Sequence, residues 1–417
     1  MMAVLIRFYL IILCVLMLKA GIAQPAADSL AVMQRLMDAG FENLSVTIRG
    51  DTVWALAENR RYRYDPRGYA ELAEAVMPLL GAHQVLGVVM LRRGVPAGQF
   101  TINRTTWDQG RRGDLPPEVF AGKIVVTTTM DKQVARLVRS RPERTSWNKI
   151  DLVVYPQVKI QLGNFDDPFK SQFNLAPSVE LQFMRGMQFM AQVIVPLQND
   201  LEPDGNTVRP GIVALSHTIR LPSDLYLMVS GGYFTRDRYG LNSEMMKAFF
   251  NGRLLFGVTA GVTGYAGLRE GRWQYSEVDL VTFFGDAAYR WAKYDLTLRA
   301  GAGRFSDGGY GWRADLFRQF GEVTIGFFAL ESEGFLNGGF TFRVPLPPGR
   351  YSTRGAARIR PQDYFGYEYR AKGLSGAGKF FSSGTTLPEL FYHIRPDFLQ
   401  REMAGEFIQR YAKSEKK

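Results

Sequence analysis

Between residues 150 and 346 the chain repeats one pattern: about ten residues in which every second side chain is apolar, then a turn. Leu152, Val154, Val158, Ile160 and Leu162 alternate with Asp151, Tyr155, Gln157, Lys159 and Gln161. Tyr294, Leu296, Leu298, Ala300 and Ala302 lie opposite Lys293, Asp295, Thr297 and Arg299, and about twelve segments of this kind follow one another. A period of two belongs to β-strands with one apolar face. Two architectures use it: a soluble sandwich or propeller with the apolar row inward, or a transmembrane barrel with that row against lipid. Connections alternate between short ones, such as Arg185-Gly186 and Phe250-Asn251-Gly252, and longer ones over residues 198–209 and 267–273. An open sheet edge in lipid leaves backbone groups unpaired, so spanning strands must close on themselves. The expectation is a mainly β protein: a transmembrane antiparallel β-barrel of about twelve strands, preceded by a small α/β periplasmic domain.

Aromatic residues near strand ends fit interfacial girdles, among them Tyr155, Tyr226, Phe234, Phe249, Trp273, Tyr275, Tyr289, Trp291, Tyr310 and Trp312. Val281, Phe317 and Phe328 fall on the inner row and break the alternation. That row nominates Lys159, Gln161, Asp295, Arg299, Arg313 and Asp315 as lumen-lining residues.

The flanks read differently. Residues 1–23 have the parts of a cleaved secretory signal: Arg7, an apolar stretch over 8–18, and Gly21-Ile22-Ala23 at the cleavage site. Cleavage removes Cys14, the only cysteine, and leaves no disulfide framework. Over residues 24–102 the order αββαββ describes an independently packed head. Asp28 caps a helix bearing Leu30, Met33 and Leu36, a hairpin turns at Gly50-Asp51, and strands flank Gly94-Val95-Pro96. Residues 103–149 are a basic connector, and residues 347–417 a Gly-rich basic tail that turns helical over 387–411 around Pro396.

Charge follows this division. The formal total is +11, with 18 basic against 13 acidic residues in 24–149, 18 against 20 in 150–346, and 13 against 7 in the tail. Positive charge outside the strands favours acidic polymers or anionic headgroups over nucleic acid in an exported chain. Catalytic chemistry has little to work with. His217 shares the lipid-facing row of Leu215 and Ile219, and His83 and His393 have no nucleophile in sequence. Asp166-Asp167 and the Glu331/Glu333 pair read as solvated loops, and Gly308-Gly309-Tyr310-Gly311 as a tight turn with no helix to form a phosphate cradle. The reading is no enzyme, no metal and no cofactor.

Three stretches resemble the YjbH-like family of exopolysaccharide-associated (group 4 capsule) outer-membrane barrels. The first runs from Gly40-Phe41-Glu42-Asn43 to Tyr62-Arg63-Tyr64, with Arg92-Arg93-Gly94-Val95-Pro96 after it. The second is Asn164-Phe165-Asp166-Asp167-Pro168-Phe169 with Val195-Pro196-Leu197. The third spans 300–344, through Gly303-Arg304-Phe305 and Asp307-Gly308-Gly309-Tyr310-Gly311, into Phe342-Arg343-Val344-Pro345-Leu346. The resemblance implies a place in the cell outer membrane and a part in exporting or organising an exopolysaccharide. Its partners would be that polymer, outer-membrane lipid and periplasmic components of an export machine. A porin-like channel and a structural surface barrel are the alternatives.

Overall fold

A computed structural model describes residues 28–130, 134, 146–147, 149–162, 169–201, 203–269, 272–353, 355–372 and 376–414. Residues 1–23, expected as a cleaved signal, and Asp166-Asp167 lie outside the described residues. The head begins with α1 (Ser29–Asp38), whose N-cap Asp28 accepts a hydrogen bond from the Leu30 N–H. After it come β1 (Glu42–Arg49), β2 (Thr52–Glu58), α2 (Asp65–Val76), β3 (Val85–Arg92) and β4 (Val95–Asn103). Strands β2 and β3 pair in parallel, which needs the crossover that α2 supplies; the other pairs are antiparallel. The stretch expected as a connector carries α3 (Arg104–Arg111), α4 (Pro117–Lys123) and β5 (Val125–Thr127), and β5 adds a fifth strand to the head sheet.

The second sheet is a meander. Its strands are β6 (Ile150–Leu162), β7 (Phe169–Met184), β8 (Met187–Asn199), β9 (Arg209–Leu221), β10 (Leu225–Phe234), β11 (Arg238–Phe249), β12 (Leu254–Arg269), β14 (Leu280–Trp291), β15 (Leu296–Arg304), β16 (Tyr310–Phe320), β17 (Val323–Ser332) and β18 (Phe335–Pro345). Each of these twelve pairs antiparallel with its neighbour in the chain, and the short β13 (Arg272–Tyr275) extends the hairpin from β12. The tail adds β19 (Ala357–Pro361), parallel to β6, and β20 (Tyr364–Arg370), antiparallel to β18. The hydrogen-bonded path thus ends in β19 and β20 and is not a closed ring, although only Gln362 and Asp363 separate those two strands along the chain. No helix among the described residues is long and apolar enough to cross a membrane.

The two faces of this sheet reverse the partition of a water-soluble protein. On one face Gln172, Ser178, Thr218, Ser230, Asn242, Thr263 and Thr297 are buried. On the other, Leu215, Val229, Leu241, Val258, Phe283, Leu298 and Phe327 are exposed. Four residues change their expected placement. Val281 stands on the outer face, half exposed, because Thr282 and Phe284 take the inward positions of β14. Tyr226 and Phe234 are buried inside and belong to no girdle, and Tyr155 turns inward to donate to Glu180. Trp273, Tyr275, Tyr289, Trp291, Tyr310 and Trp312 are exposed on the outside as expected.

Nor does the head pack by itself. Its core of Leu36, Leu44, Tyr69, Leu72 and Phe100 is continuous with Leu399, Met403 and Phe407 of the tail and with Tyr226, Met228 and Met246 on the polar face of the sheet. Those tail residues lie on the last helix (Pro396–Ser414), which follows the single turn Leu387–Leu390; in chain order these helices are α6 and α5. Phe407 meets Trp107 edge-on at 4.3 Å between ring centroids, and Phe398 meets Tyr64 at 6.1 Å.

Candidate functional site: the divided polar interior

Every connection between meander strands at one end of the second sheet is a turn of two to four residues, whereas the other, the loop end, carries the longer connections after β8 and β12 beside short ones after β10 and β17. The head docks at the turn end. Gly186, between β7 and β8, donates its N–H to the Arg93 carbonyl at 2.7 Å and accepts from Thr218 N–H at 2.8 Å. Its φ of +75° and a Thr218 carbonyl oxygen 1.9 Å from where a Cβ would sit leave room for glycine alone. Arg63 grips Glu322 through two hydrogen bonds of 2.8 Å, and Thr128 N–H donates to Asn251 at 2.9 Å. Helix α6 lies at the same end, where Arg290 binds Asp397 at 2.7 Å and Arg401 binds Asp295 at 2.9 Å.

Between β20 and α6 the tail crosses the sheet's polar face from the loop end to the turn end. At the loop end, Gly378 N–H donates to Asp307 at 3.0 Å, and Ser306 donates its hydroxyl and its N–H to the Lys379 carbonyl. Phe380 packs on Phe284 and Phe305, and Phe381 stacks on Phe234 with ring centroids 5.3 Å apart. Midway, Leu387 N–H donates to the buried Glu244 carboxylate at 2.9 Å. Near the turn end, Phe391 rests on Tyr226, and the Tyr392 and Thr324 hydroxyls share a hydrogen bond of 2.7 Å. The partners belong to β10, β11, β14 and β17, and Gly384 lies beside Met190 of β8, so the sheet curls round this segment.

The segment separates two cavities. One, of about 300 Å³, lies against β11, β12, β14, β15 and β16. Two ion-paired groups line it: Asp286 takes two 2.8 Å hydrogen bonds from Arg299, and Arg313 reaches Asp315 at 2.7 Å and Glu368 at 2.8 Å. Gly301 stands opposite Asp286, and a Cβ there would come within 2.5 Å of the Gly285 carbonyl oxygen, so the strands can approach only with glycine at that site. Asn242, 4% exposed, points an Oδ1 without a hydrogen-bond partner towards this space.

The other cavity, of about 430 Å³, lies between the head and β6–β9, with β18 and the β19–β20 junction on its far side. Six arginines line it: Arg60, Arg63, Arg92, Arg93, Arg343 and Arg360. Several are committed already. Arg60 pairs with Asp151, Arg92 with Asp65, and Arg360 with Asp363 at 3.0 Å. Arg93 donates to Thr385 at 2.6 Å, and Arg343 lies over the Tyr364 and Tyr392 rings at 4.3 and 5.1 Å. Burial lowers the pKa of Arg92 and Arg93; burial also opposes the charge of Arg60, but Asp151 and Glu58 overcome it and raise its pKa. Guanidinium, amide, phenol and carboxylate groups at such density supply donors and acceptors in every direction, which suits polyhydroxylated ligands.

Of the residues nominated from sequence, Arg299, Arg313 and Asp315 come together on the smaller cavity. Lys159 and Gln161 sit half-buried on the inward row of β6, but Tyr155 and Gln157 are the members of that row that reach the larger cavity. Asp295 lies elsewhere: it occupies the turn before β15 with φ +52° and binds Arg290 at 2.6 Å as well as Arg401. Sequence reading missed Asn242, Glu244 and Asp286, although each is a polar residue at an inward position of its strand. It also missed Phe380 and Phe381, which no periodicity marks. Among the described residues no group of His, Cys, Asp and Glu has a metal-holding arrangement.

No curated protein matches the chain. Residues 18–346, which take in the head and all twelve meander strands, match a family described as exopolysaccharide biosynthesis protein YbjH. By that match over most of its length, the chain belongs to the YjbH family.

Proposed function

We propose that this protein is an outer-membrane β-barrel that helps move an exopolysaccharide to the cell surface, the polymer contacting the polar face and lipid the apolar one. The observation that carries the reading is the reversed partition of the second sheet. A face of exposed Leu, Val and Phe more than twelve strands wide is far beyond the apolar patch a water-soluble monomer tolerates, and it suits a hydrocarbon surround. Closure has support as well. Extending the register of β19 on β6, from Ala357↔Ile150 to Pro361↔Val154, sets Tyr367 opposite Ile160, and the Tyr367 hydroxyl donates to the Ile160 carbonyl at 3.5 Å. The segment 357–370 would then act as one strand that joins both ends of the meander.

In this reading the residues bind and guide the polymer and catalyse nothing. Saccharide hydroxyls meet the paired carboxylates and guanidinium groups of the two cavities, and the head, at the turn end, faces the periplasm and its export components. A porin is the weaker alternative, because the tail crosses the interior. The test is a clean deletion strain, with polysaccharide assayed at the surface, in the medium and in the periplasm. Loss outside with retention inside is the expected result; unchanged amounts in all three compartments would refute the role in export.

A further inference from the structure

We infer that residues 376–386 form a displaceable plug: the segment occupies the saccharide's own track along the polar face and must swing aside before polymer can pass. This rests on the export reading above. The contrast with its neighbours carries the inference. Upstream, β20 is held by a ladder to β18, and downstream, Leu387, Phe391 and Ile394 join α6 in the head core. The segment between pairs with no strand among the described residues and is fastened at scattered points, chiefly by Asp307, Ser306 and Thr235. Gly378 and Gly384 have φ of +64° and +120°, conformations that a continuous strand does not use.

What the segment covers has the chemistry of a sugar site. The segment ends beside the buried Glu244 carboxylate, which accepts from the Leu387 N–H and keeps lone pairs that a sugar hydroxyl can reach when the segment moves. Asn242, two residues away on the same inward row, offers its unpartnered Oδ1 to the cavity beside it. Reach is no obstacle. The chain between Arg370 and Leu387 spans roughly 55 Å when extended, against the roughly 30 Å of a hydrocarbon core, so the plug can move while both its ends stay docked.

A disulfide between Thr235→Cys and Ser382→Cys locks the plug. The Thr235 N–H donates to the Ser382 carbonyl at 3.0 Å and the Ser382 N–H to the Thr235 hydroxyl at 2.7 Å, so the two backbones are close enough to bridge. The only native cysteine is Cys14, in the segment expected as a cleaved signal, so no other thiol competes. The double variant, oxidised in the periplasm, is expected to lower surface polysaccharide at least about tenfold against either single variant, and a membrane-impermeant reductant to restore it. Wild-type export from the fully oxidised form overturns the plug while leaving the export role intact. If the deletion strain itself exports normally, the export role fails, and the plug is judged by conductance of the purified full chain in a planar bilayer. There, openings that appear only on reduction support it, and equal conductance in both redox states overturns it.

Discussion

The head and the meander use the same residue types with opposite polarity. In the head, Phe100 and Tyr69 face each other in an apolar core, and the few buried charges such as Asp65 and Glu42 are ion-paired; in the meander, Phe327 is two-thirds exposed and Ser, Thr, Asn and Glu are buried. Burial of apolar area drives the first arrangement only where the alternative is water. The second is stable where the outer surround is itself apolar and every inward polar group finds a partner or a bound molecule. On the outer-membrane proposal one chain encodes two solvents, and the boundary between them would run through the turns on which the head and α6 dock.

The sharpest test of the head's side of this comparison is Phe100→Ala. Phe100 is fully buried and meets Tyr69 edge-on at 6.1 Å, so truncation should cost about 3–5 kcal/mol through lost burial and a cavity. Because the same core includes Phe407, Tyr226 and Met246, the loss should also loosen α6 and the turn end of the sheet. Urea titration of the full chain, with limited proteolysis of α6 alongside, would show it. A head that melts while α6 stays protected would mean that the shared core is not energetically shared.

Phe327→Arg probes the other side. Phe327 lies in the middle of β17, with Leu316 and Phe340 opposite it on the neighbouring strands. In lipid, a guanidinium there should cost about 2–4 kcal/mol in refolding into vesicles. On a water-facing sheet it should change stability by no more than about 0.5 kcal/mol, which would break the comparison.

The meander was legible in the sequence because a period of two survives wherever one face stays apolar. It failed where two apolar residues adjoin: in Val281-Thr282-Phe283-Phe284 either parity reads well, and the inward side is set by Asp286 facing Gly257 and Gly301 on adjacent strands. Strand β19 was illegible for a different reason. Its inward residues are Arg358, bound to Glu42 and Asp151, and Arg360, so it has almost no apolar row, and its partner β6 lies some two hundred residues upstream. The cavities were half legible. Arg299, Arg313 and Asp315 share adjacent strands and could be read as a row, whereas the larger cavity collects arginines from the head, β18 and the tail that only the finished fold brings together.

The smallest effect expected concerns the tail alone. Lys379 is partly buried beside Arg370, Arg236 and Lys159, with Glu368 the opposing charge; burial first, and then these cations, push its pKa down to about 8. An unfolded lysine titrates near 10.4, so between about pH 8 and 10 the unfolded chain holds the proton more tightly than the folded one. Stability should therefore be lower below pH 8, rise through that window and level off above it. The arginines remain charged throughout and so keep the repulsion in place. Because the Lys379 carbonyl accepts from Ser306 at the loop-end anchor, the gain should be local: labelling of a Ser383→Cys variant by a soluble maleimide, corrected for the reagent's own pH dependence, should slow as pH rises from 7.5 to 10. Lys379→Met should abolish that trend and leave the stability of the head unchanged. Equal trends in both proteins would place the titrating group elsewhere and leave the tail without its own electrostatic strain.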